Sequence, residues 1–319
     1  MSSASLRVTV LIPAFRAATT LEKAVRSVIA QTEPSWELII VNDRSPDDTG
    51  AIADRMAALD NRIRVIHLAE NGGKPNAMNV GTAAAKGRWV ALLDADDWFD
   101  PQRLQKLLDA GEAANVSMVT DNQVFFDIGA NQAAGLALPN LKAPQTLTLD
   151  DFLTSTDATS SFDYGMLKPI FRADFLQAHT IRYYEPARIG EDYLVLLNYF
   201  AAGGTARLLP EALYFYLQPF GTISKQWAQE GRTEYNFDLL EKVNQFGIDQ
   251  VGQKLSATQL AILAKRGRSI AALARLSRVR SAIRQKDFVS AVCQMTCAPL
   301  PFWRLVWSRV TGKLLGAKS

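Results

Sequence analysis

Arg88-Trp-Val-Ala-Leu-Leu-Asp-Ala-Asp-Asp97 is an apolar run that ends in three carboxylates. Trp89 to Leu93 carry no polar side chain, the composition of a strand covered on both faces of a parallel sheet. Pro101 then starts a helix through about Ala114. Like charges gathered beside a buried sheet edge are costly unless neutralised. Alternate carboxylates on an extended segment could hold a hard divalent cation, Mg2+ or Mn2+, through oxygen ligands. The plainer alternative is a solvated turn with a helix-capping Asp.

Outward from this stretch the same pattern repeats. Val8 to Ile12 reads as a buried strand stopped by Pro13, and Leu21, Val25, Val28 and Ile29 then recur at helical spacing. Trp36 to Val41 is a second strand ending in Asn42-Asp43, followed by the apolar stripe Ile52, Met56 and Leu59, and Ile63 to Leu68 is a third. Asn76 to Lys86 predicts an Ala-rich helix, closed by Gly87 in a left-handed cap. Such alternation requires an α/β fold with a mostly parallel central sheet flanked by helices. The carboxylates of the opening stretch then sit at a strand's carboxyl end, where loops form the ligand crevice of open sheets.

Downstream, strands are expected at Val116–Thr120, Gln123–Ile128, Met166–Phe171 and Ala212–Leu217, and a helix over Glu191–Ala202 opened by Gly190. Beyond Gln226 the pattern is helical nearly to Met295. The expected division is an α/β domain over residues 1–225 and a helical, basic extension over 226–319.

The bulk properties of the 319 residues, 48% hydrophobic and 21% charged, are those of a globular protein. The net charge of +3 hides an asymmetry, because 12 of the 35 Lys and Arg but one acidic residue, Asp287, follow Ala264. No stretch of about 18 uninterrupted apolar residues predicts a membrane-spanning helix, and Met1 to Arg7 lack the apolar region of a secretory signal. A cytoplasmic location is expected. Cys293 and Cys297 match no zinc pattern and read as packing residues. His67 and His179 stand far apart, which disfavours a His-based metal centre or a Ser-His-Asp hydrolase.

Three more segments carry chemistry. Asp43, in Asn42-Asp-Arg-Ser-Pro-Asp-Asp-Thr49, could accept hydrogen bonds from a base imide or a ribose hydroxyl, although Ser45, Asp47 and Thr49 also suit a capped turn. Asn71-Gly-Gly-Lys-Pro-Asn-Ala-Met-Asn79 is a Gly-bearing loop entering a helix, whose N–H groups could face a phosphate with Lys74 adding charge. It is no Walker loop. Gly190-Glu191-Asp192 opens a helix where an Asp could accept a proton from a hydroxyl, or simply complement the helix dipole.

Taken in order, Val10-Leu-Ile-Pro-Ala-Phe15, Glu37-Leu-Ile-Ile-Val-Asn-Asp43, Asn71-Gly-Gly73 through Asn79, Leu93-Asp-Ala-Asp-Asp97 and Gly190-Glu-Asp192 resemble a family 2 glycosyltransferase of the GT-A nucleotide-diphospho-sugar transferase fold. The resemblance covers about Val8 to Ser224. Leu167-Lys-Pro-Ile-Phe-Arg172 and Ile189-Gly-Glu-Asp-Tyr193 are most similar to bacterial succinoglycan-type exopolysaccharide glucosyltransferases.

That resemblance implies an inverting transfer of a hexose from a UDP-sugar to a hydroxyl of a lipid-linked saccharide. It places Pro13, Ala14, Asp43, Lys74, Asn79, Asp94 and Ala95 at the nucleotide-sugar, Asp96 on Mg2+ or Mn2+, Glu191 beside the acceptor, and Asp192 as the general base. Gln218-Pro219-Phe220 depart from a region that often carries Arg or His, so further diphosphate contacts there are not implied.

Phe302, Trp303, Leu305 and Trp307 are mixed with Arg304, Arg309 and Lys313, downstream of Arg275, Arg278, Arg280 and Arg284. Aromatic and basic side chains both favour an anionic interface, so peripheral contact at the inner face of the cell membrane is expected, against the alternative of a helix packed on the catalytic domain. No nucleic-acid motif accompanies the charge. The rivals are a non-catalytic nucleotide-sugar binder or scaffold, a nucleotidyltransferase, whose Gly-rich, Arg-containing loop is missing from Val10 to Ala18, and a dehydrogenase, whose G-x-G-x-x-G is missing after the first strand.

Overall fold

The computed structural model describes residues 6–156, 162–218, 236–296 and 303. Its parallel half is built by strict alternation of β1 (Val8–Ala14), α1 (Leu21–Ile29), β2 (Trp36–Asn42), α2 (Thr49–Ala57), β3 (Ile63–His67), α3 (Gly73–Ala84) and β4 (Trp89–Leu92). Every residue of β2 and β4 is buried, as strands covered on both faces must be. β1 lies between β2 and β4, parallel to both, and β3 lies outside β2. The chain thus leaves β1 toward one side and returns to β4 on the other. At such a switch point the loops at the strand carboxyl ends part into a crevice.

The second half adds β5 (Trp98–Phe99), α4 (Arg103–Ala114), β6 (Met118–Asp127), β7 (Gln132–Leu136), β8 (Gln145–Leu147), α5 (Leu149–Ser155), β9 (Ile170–Arg172), α6 (Ala173–Ala178), α7 (Glu191–Ala201) and β10 (Ala206–Gln218). The sheet runs β3-β2-β1-β4-β9-β6-β10-β5, with β7 on β6 and β8 on β10. β9 is antiparallel to β4 and β6, whereas β10 is parallel to β6, so this half is mixed. The two strands expected between Val116 and Ile128 are one. The last strand starts at Ala206 rather than Ala212, and its register shifts around Ala212, beside Pro210, which cannot donate to the ladder.

Gly87 does not take the expected left-handed cap. α3 ends before it, and the reason for a glycine is close approach: a β-carbon there would overlap the backbone of Val8 and Thr9. Its N–H donates to Thr9 Oγ1 at 2.8 Å.

α8 (Phe237–Val251), α9 (Ala257–Arg284) and α10 (Phe288–Thr296) complete the described chain. Val243, Val251 and Leu263 share one apolar cluster with Leu194, Leu197 and Tyr199 of α7, so α8 and α9 brace the helix that opens with Glu191-Asp192. Gly190, at φ +72°, faces Leu240 and Val243. The expected boundary at residue 225 and Cys297 lie outside the described residues. Cys293 is exposed on α10 instead of packed, because it falls on the outward side of the last helix.

Candidate active site

The crevice starts where β1 and β2 end. Pro13 and Ala14 pair with Val41 and Asn42, and Ala14 O accepts the N–H of Asp43 at 2.9 Å. Ser45, Asp47 and Thr49 form a capped turn, with Asp47 Oδ1 accepting from Thr49 Oγ1 at 2.6 Å.

Asp43 is buried, and its two oxygens accept from Gly72 N (2.8 Å) and Gly73 N (2.7 Å). The N–H groups that the loop offered to a phosphate therefore face this carboxylate, which occupies the positive end of α3 as an anion would. That corrects the phosphate-cradle reading of the loop. Gly73 sits at φ +78° with Arg188 lying where a side chain would project.

Capping by Asp43 aims Lys74, in the first turn of α3, into the crevice. Its Nζ lies 2.9 Å from Asp94 Oδ1, 3.0 Å from Asp192 Oδ2 and 3.4 Å from Glu191 Oε1. A second ammonium completes the cluster: Lys168 Nζ lies 2.8 Å from Asp94 Oδ2 and 2.7 Å from Asp192 Oδ2. Three carboxylates from two distant segments thus share two cations. Burial pushes the Asp192 pKa up, but Lys168 and Lys74 outweigh it and hold it below the usual carboxylate range. For Glu191 burial wins, and its pKa is raised. Burial opposes the Lys168 charge, yet Asp192 and Asp94 overcome it and raise its pKa. Asp192 Oδ1 is buried without a hydrogen-bond partner among the described residues, a state that costs about 1–3 kcal/mol unless a donor arrives.

The remaining carboxylates of the run after β4 divide. Asp97 is structural, since its oxygens accept from Tyr214 Oη (2.7 Å) and Leu217 N (2.9 Å), and burial raises its pKa. Asp96 is half-buried, and its charge, like those of Asp94 and Asp97, reaches the Tyr216 phenol, as does Lys168. Among the described residues no cluster of three His, Cys, Asp or Glu forms a metal cage. A single carboxylate still fits Mg2+ or Mn2+ when substrate phosphates supply the other oxygens, and Asp96 is the one the family resemblance assigns.

Two other expected residues stand apart. Asn79 pairs with the backbone of Tyr183, accepting from its N and donating to its O, each at 2.9 Å, which ties the approach to α7 onto α3. Ala95 is buried in the main core.

Lys168 stands in a stretch that carries the family resemblance, Leu167-Lys-Pro-Ile-Phe-Arg172, and the sequence reading assigns it no place in the site. A signal existed: a lysine immediately before the buried run Pro169-Ile170-Phe171 has little water to reach and needs a buried anion. Its carbonyl accepts from Arg103 Nη2, and Arg103 is paired with Asp121 at 2.8 Å, both side chains fully buried. Asp121 also accepts from Leu213 N at 3.2 Å, so this pair ties α4, β6, β10 and the Lys168 backbone together.

Comparison with known proteins adds to this geometry. The model of glycosyl transferase family 2 matches residues 9–167. Succinoglycan biosynthesis protein ExoO of Rhizobium meliloti is 35% identical over 219 residues, covering 68% of this chain and 62% of that protein. The chain thus spans about 60% of the length of the curated relatives it matches. Among solved structures, S. aureus TarS 1-349 in complex with UDP-GlcNAc superposes with a TM-score of 0.61 at 14% identity, covering 89% of each chain. Mannosyltransferase PcManGT of Pyrobaculum calidifontis, in complex with GDP-Man and Mn2+, gives 0.58 at 16% identity over 99% of this chain and 82% of the other. At such identities the likeness concerns the fold, which is of the GT-A type.

Proposed function

We infer, from the premise that residues 9–167 belong to glycosyl transferase family 2, that this chain is an inverting glycosyltransferase that takes a hexose, glucose by preference, from a UDP-sugar. The acceptor is a hydroxyl of a lipid-linked saccharide in exopolysaccharide synthesis. The observation that carries this is the meeting of Asp94, Lys74, Glu191 and Asp192 at the carboxyl edge of the parallel strands. Kinship with ExoO supports the polysaccharide context.

In the proposed reaction the acceptor hydroxyl gives its proton to Asp192 while its oxygen forms a bond to the anomeric carbon. The bond from that carbon to the diphosphate breaks, and UDP leaves from the opposite face. An ionised carboxylate is what this step requires, and the two lysines supply it. Glu191 positions the acceptor, and Asp43, Pro13, Ala14, Asn79, Asp94 and Ala95 shape or brace the donor's side of the crevice. Lys74, the more exposed of the two lysines at 23% against 6%, is the cation available to the diphosphate. Asp96 would hold Mg2+ or Mn2+, which when bound neutralises charge on the departing diphosphate. The catalytic unit is residues 1–225, and the helical extension follows.

Release of UDP from a panel of UDP-sugars tests the donor class, with UDP-glucose expected to turn over fastest. Titration calorimetry with UDP and Mn2+ tests the metal site. Asp96→Ala is expected to weaken UDP binding about tenfold, equivalent to about 1.4 kcal/mol. Unchanged affinity in that variant would remove Asp96 from the metal.

A further inference from the structure

Two ammoniums share one oxygen of Asp192, and their surroundings differ. Lys74 rides on the first turn of α3 at the crevice wall, with contacts to three carboxylates. Lys168 lies deeper, in the segment entering β9, and pairs with Asp94 and Asp192. Its backbone is pinned by the buried Arg103–Asp121 pair, whereas Lys74 extends from the first turn of α3 and is the more exposed, at 23% against 6%. A negatively charged donor entering the crevice competes for the cation it can reach. If Lys74 follows the diphosphate, Lys168 is the counterion left to Asp192 among the described residues.

We propose that Lys168 is a positioning residue for the transfer reaction: its ammonium, bridging Asp94 and Asp192, keeps the proton-accepting carboxylate ionised and fixed while Lys74 serves the donor's diphosphate. This rests on Asp192 being the base. Among the described residues, the charged and titratable groups facing Asp192 are Lys168 from the β9 entry, Lys74 from α3, Asp94 from the end of β4, Glu191 on its own helix and Tyr183 from the approach to α7. Of these only the lysines favour the ionised form. Burial, Asp94 and Glu191 oppose it, and the Tyr183 phenol is itself neutral because burial and Asp192 raise its pKa.

The sign follows directly. A carboxylate whose pKa is depressed stays ionised down to low pH, and loss of a cation moves that pKa up. In Lys168→Met the acid limb of kcat/KM should therefore shift to higher pH. A shift of one unit means a tenfold loss below the new pKa, with recovery toward the wild-type rate above it.

The experiment follows kcat/KM for UDP release from UDP-glucose, with water in the acceptor's place, between pH 5 and 9 for the wild type, Lys168→Met, Lys168→Arg and Lys74→Met. If UDP-glucose is not turned over, the UDP-sugar of the panel that is turned over takes its place. Lys168→Met should move the acid limb upward by at least about one unit while UDP affinity, read by calorimetry, stays within about threefold. Lys168→Arg, which keeps the charge, should restore the limb toward its original place. Lys74→Met should instead weaken UDP binding about tenfold or more, the loss of one charge-assisted contact.

Should Lys168→Met not fold, Lys168→Gln removes the same charge with a polar head and carries the same test. An acid limb that stays in place when Lys168 is neutralised overturns the proposal. So does a uniform loss at every pH, which marks a purely structural residue. An active Asp192→Asn variant would instead overturn the base assignment itself, so the two failures are distinguishable.

Discussion

Arg103 is a cation with no access to water: its side chain is 0% exposed, paired with an Asp121 side chain at 1%. It also lies over the rings of Phe99 and Tyr214, at 4.3 and 5.1 Å. Burial raises the pKa of Asp121 despite the Arg103 charge beside it, and the pair ties α4, β6, β10 and the Lys168 backbone together. Removing one partner leaves the other charge buried alone, and Arg103→Met is expected to lower unfolding stability by about 3–5 kcal/mol. A second substitution, Asp121→Leu, should return part of that. Urea denaturation reads both, and an unchanged midpoint for Arg103→Met would contradict the strut. At this scale the sequence was partly legible. Asp43, Lys74, Asp94 and Asp192 stand out as candidates because turn-forming or apolar neighbours mark each one, and the roles of Asp94 and Asp192 come from the family resemblance. The partners of Lys168, Arg103 and Asp121 were not legible, because the partner of a buried charge is set by tertiary contact and leaves no spacing in the chain.

α10 shows what an element can add. Phe288, Val289 and Val292 are exposed at 63%, 77% and 56%, with Ile283 at the end of α9 exposed beside Arg280 and Arg284. Trp303 is exposed as well. Apolar and cationic side chains on one outer segment suit an anionic lipid surface, and they support the peripheral contact inferred from the tail. Phe302, Arg304, Leu305, Trp307, Arg309 and Lys313 lie outside the described residues. Co-sedimentation should recover the protein with vesicles of mixed phosphatidylglycerol and phosphatidylcholine and not with phosphatidylcholine alone. Equal recovery with both would remove the interfacial role. Among elements, the strands and helices up to β4 were legible because the strands are mostly apolar runs, although β1 continues through Pro13 to Ala14 instead of stopping at the proline. The single long β6, the bulged β10 and the antiparallel β9 were not, since strand length and direction there are fixed by neighbours rather than by periodicity. Gly87 misled for a related reason, its glycine answering to a distant strand and not to its own helix.

Across the whole molecule the parts of the site are assembled by three independent supports. Asp43 caps α3 and so aims Lys74; the Arg103–Asp121 pair pins the carbonyl of Lys168; and α8 and α9 pack on the helix that carries Asp192. Among the last of these contacts, the Arg266 guanidinium lies 3.9 Å from the Tyr193 ring, one residue beyond the proposed base. No helix among the described residues is long and apolar enough to cross a membrane. The central claim is that Asp192 takes the acceptor's proton, and Asp192→Asn tests it most directly because the amide keeps the shape and cannot act as the base. Turnover of the UDP-sugar should fall by about 10²–10⁴-fold, the usual worth of a general base, while calorimetry finds UDP binding within about threefold of the wild type, a difference of less than about 1 kcal/mol. Full turnover in that variant would contradict the mechanism.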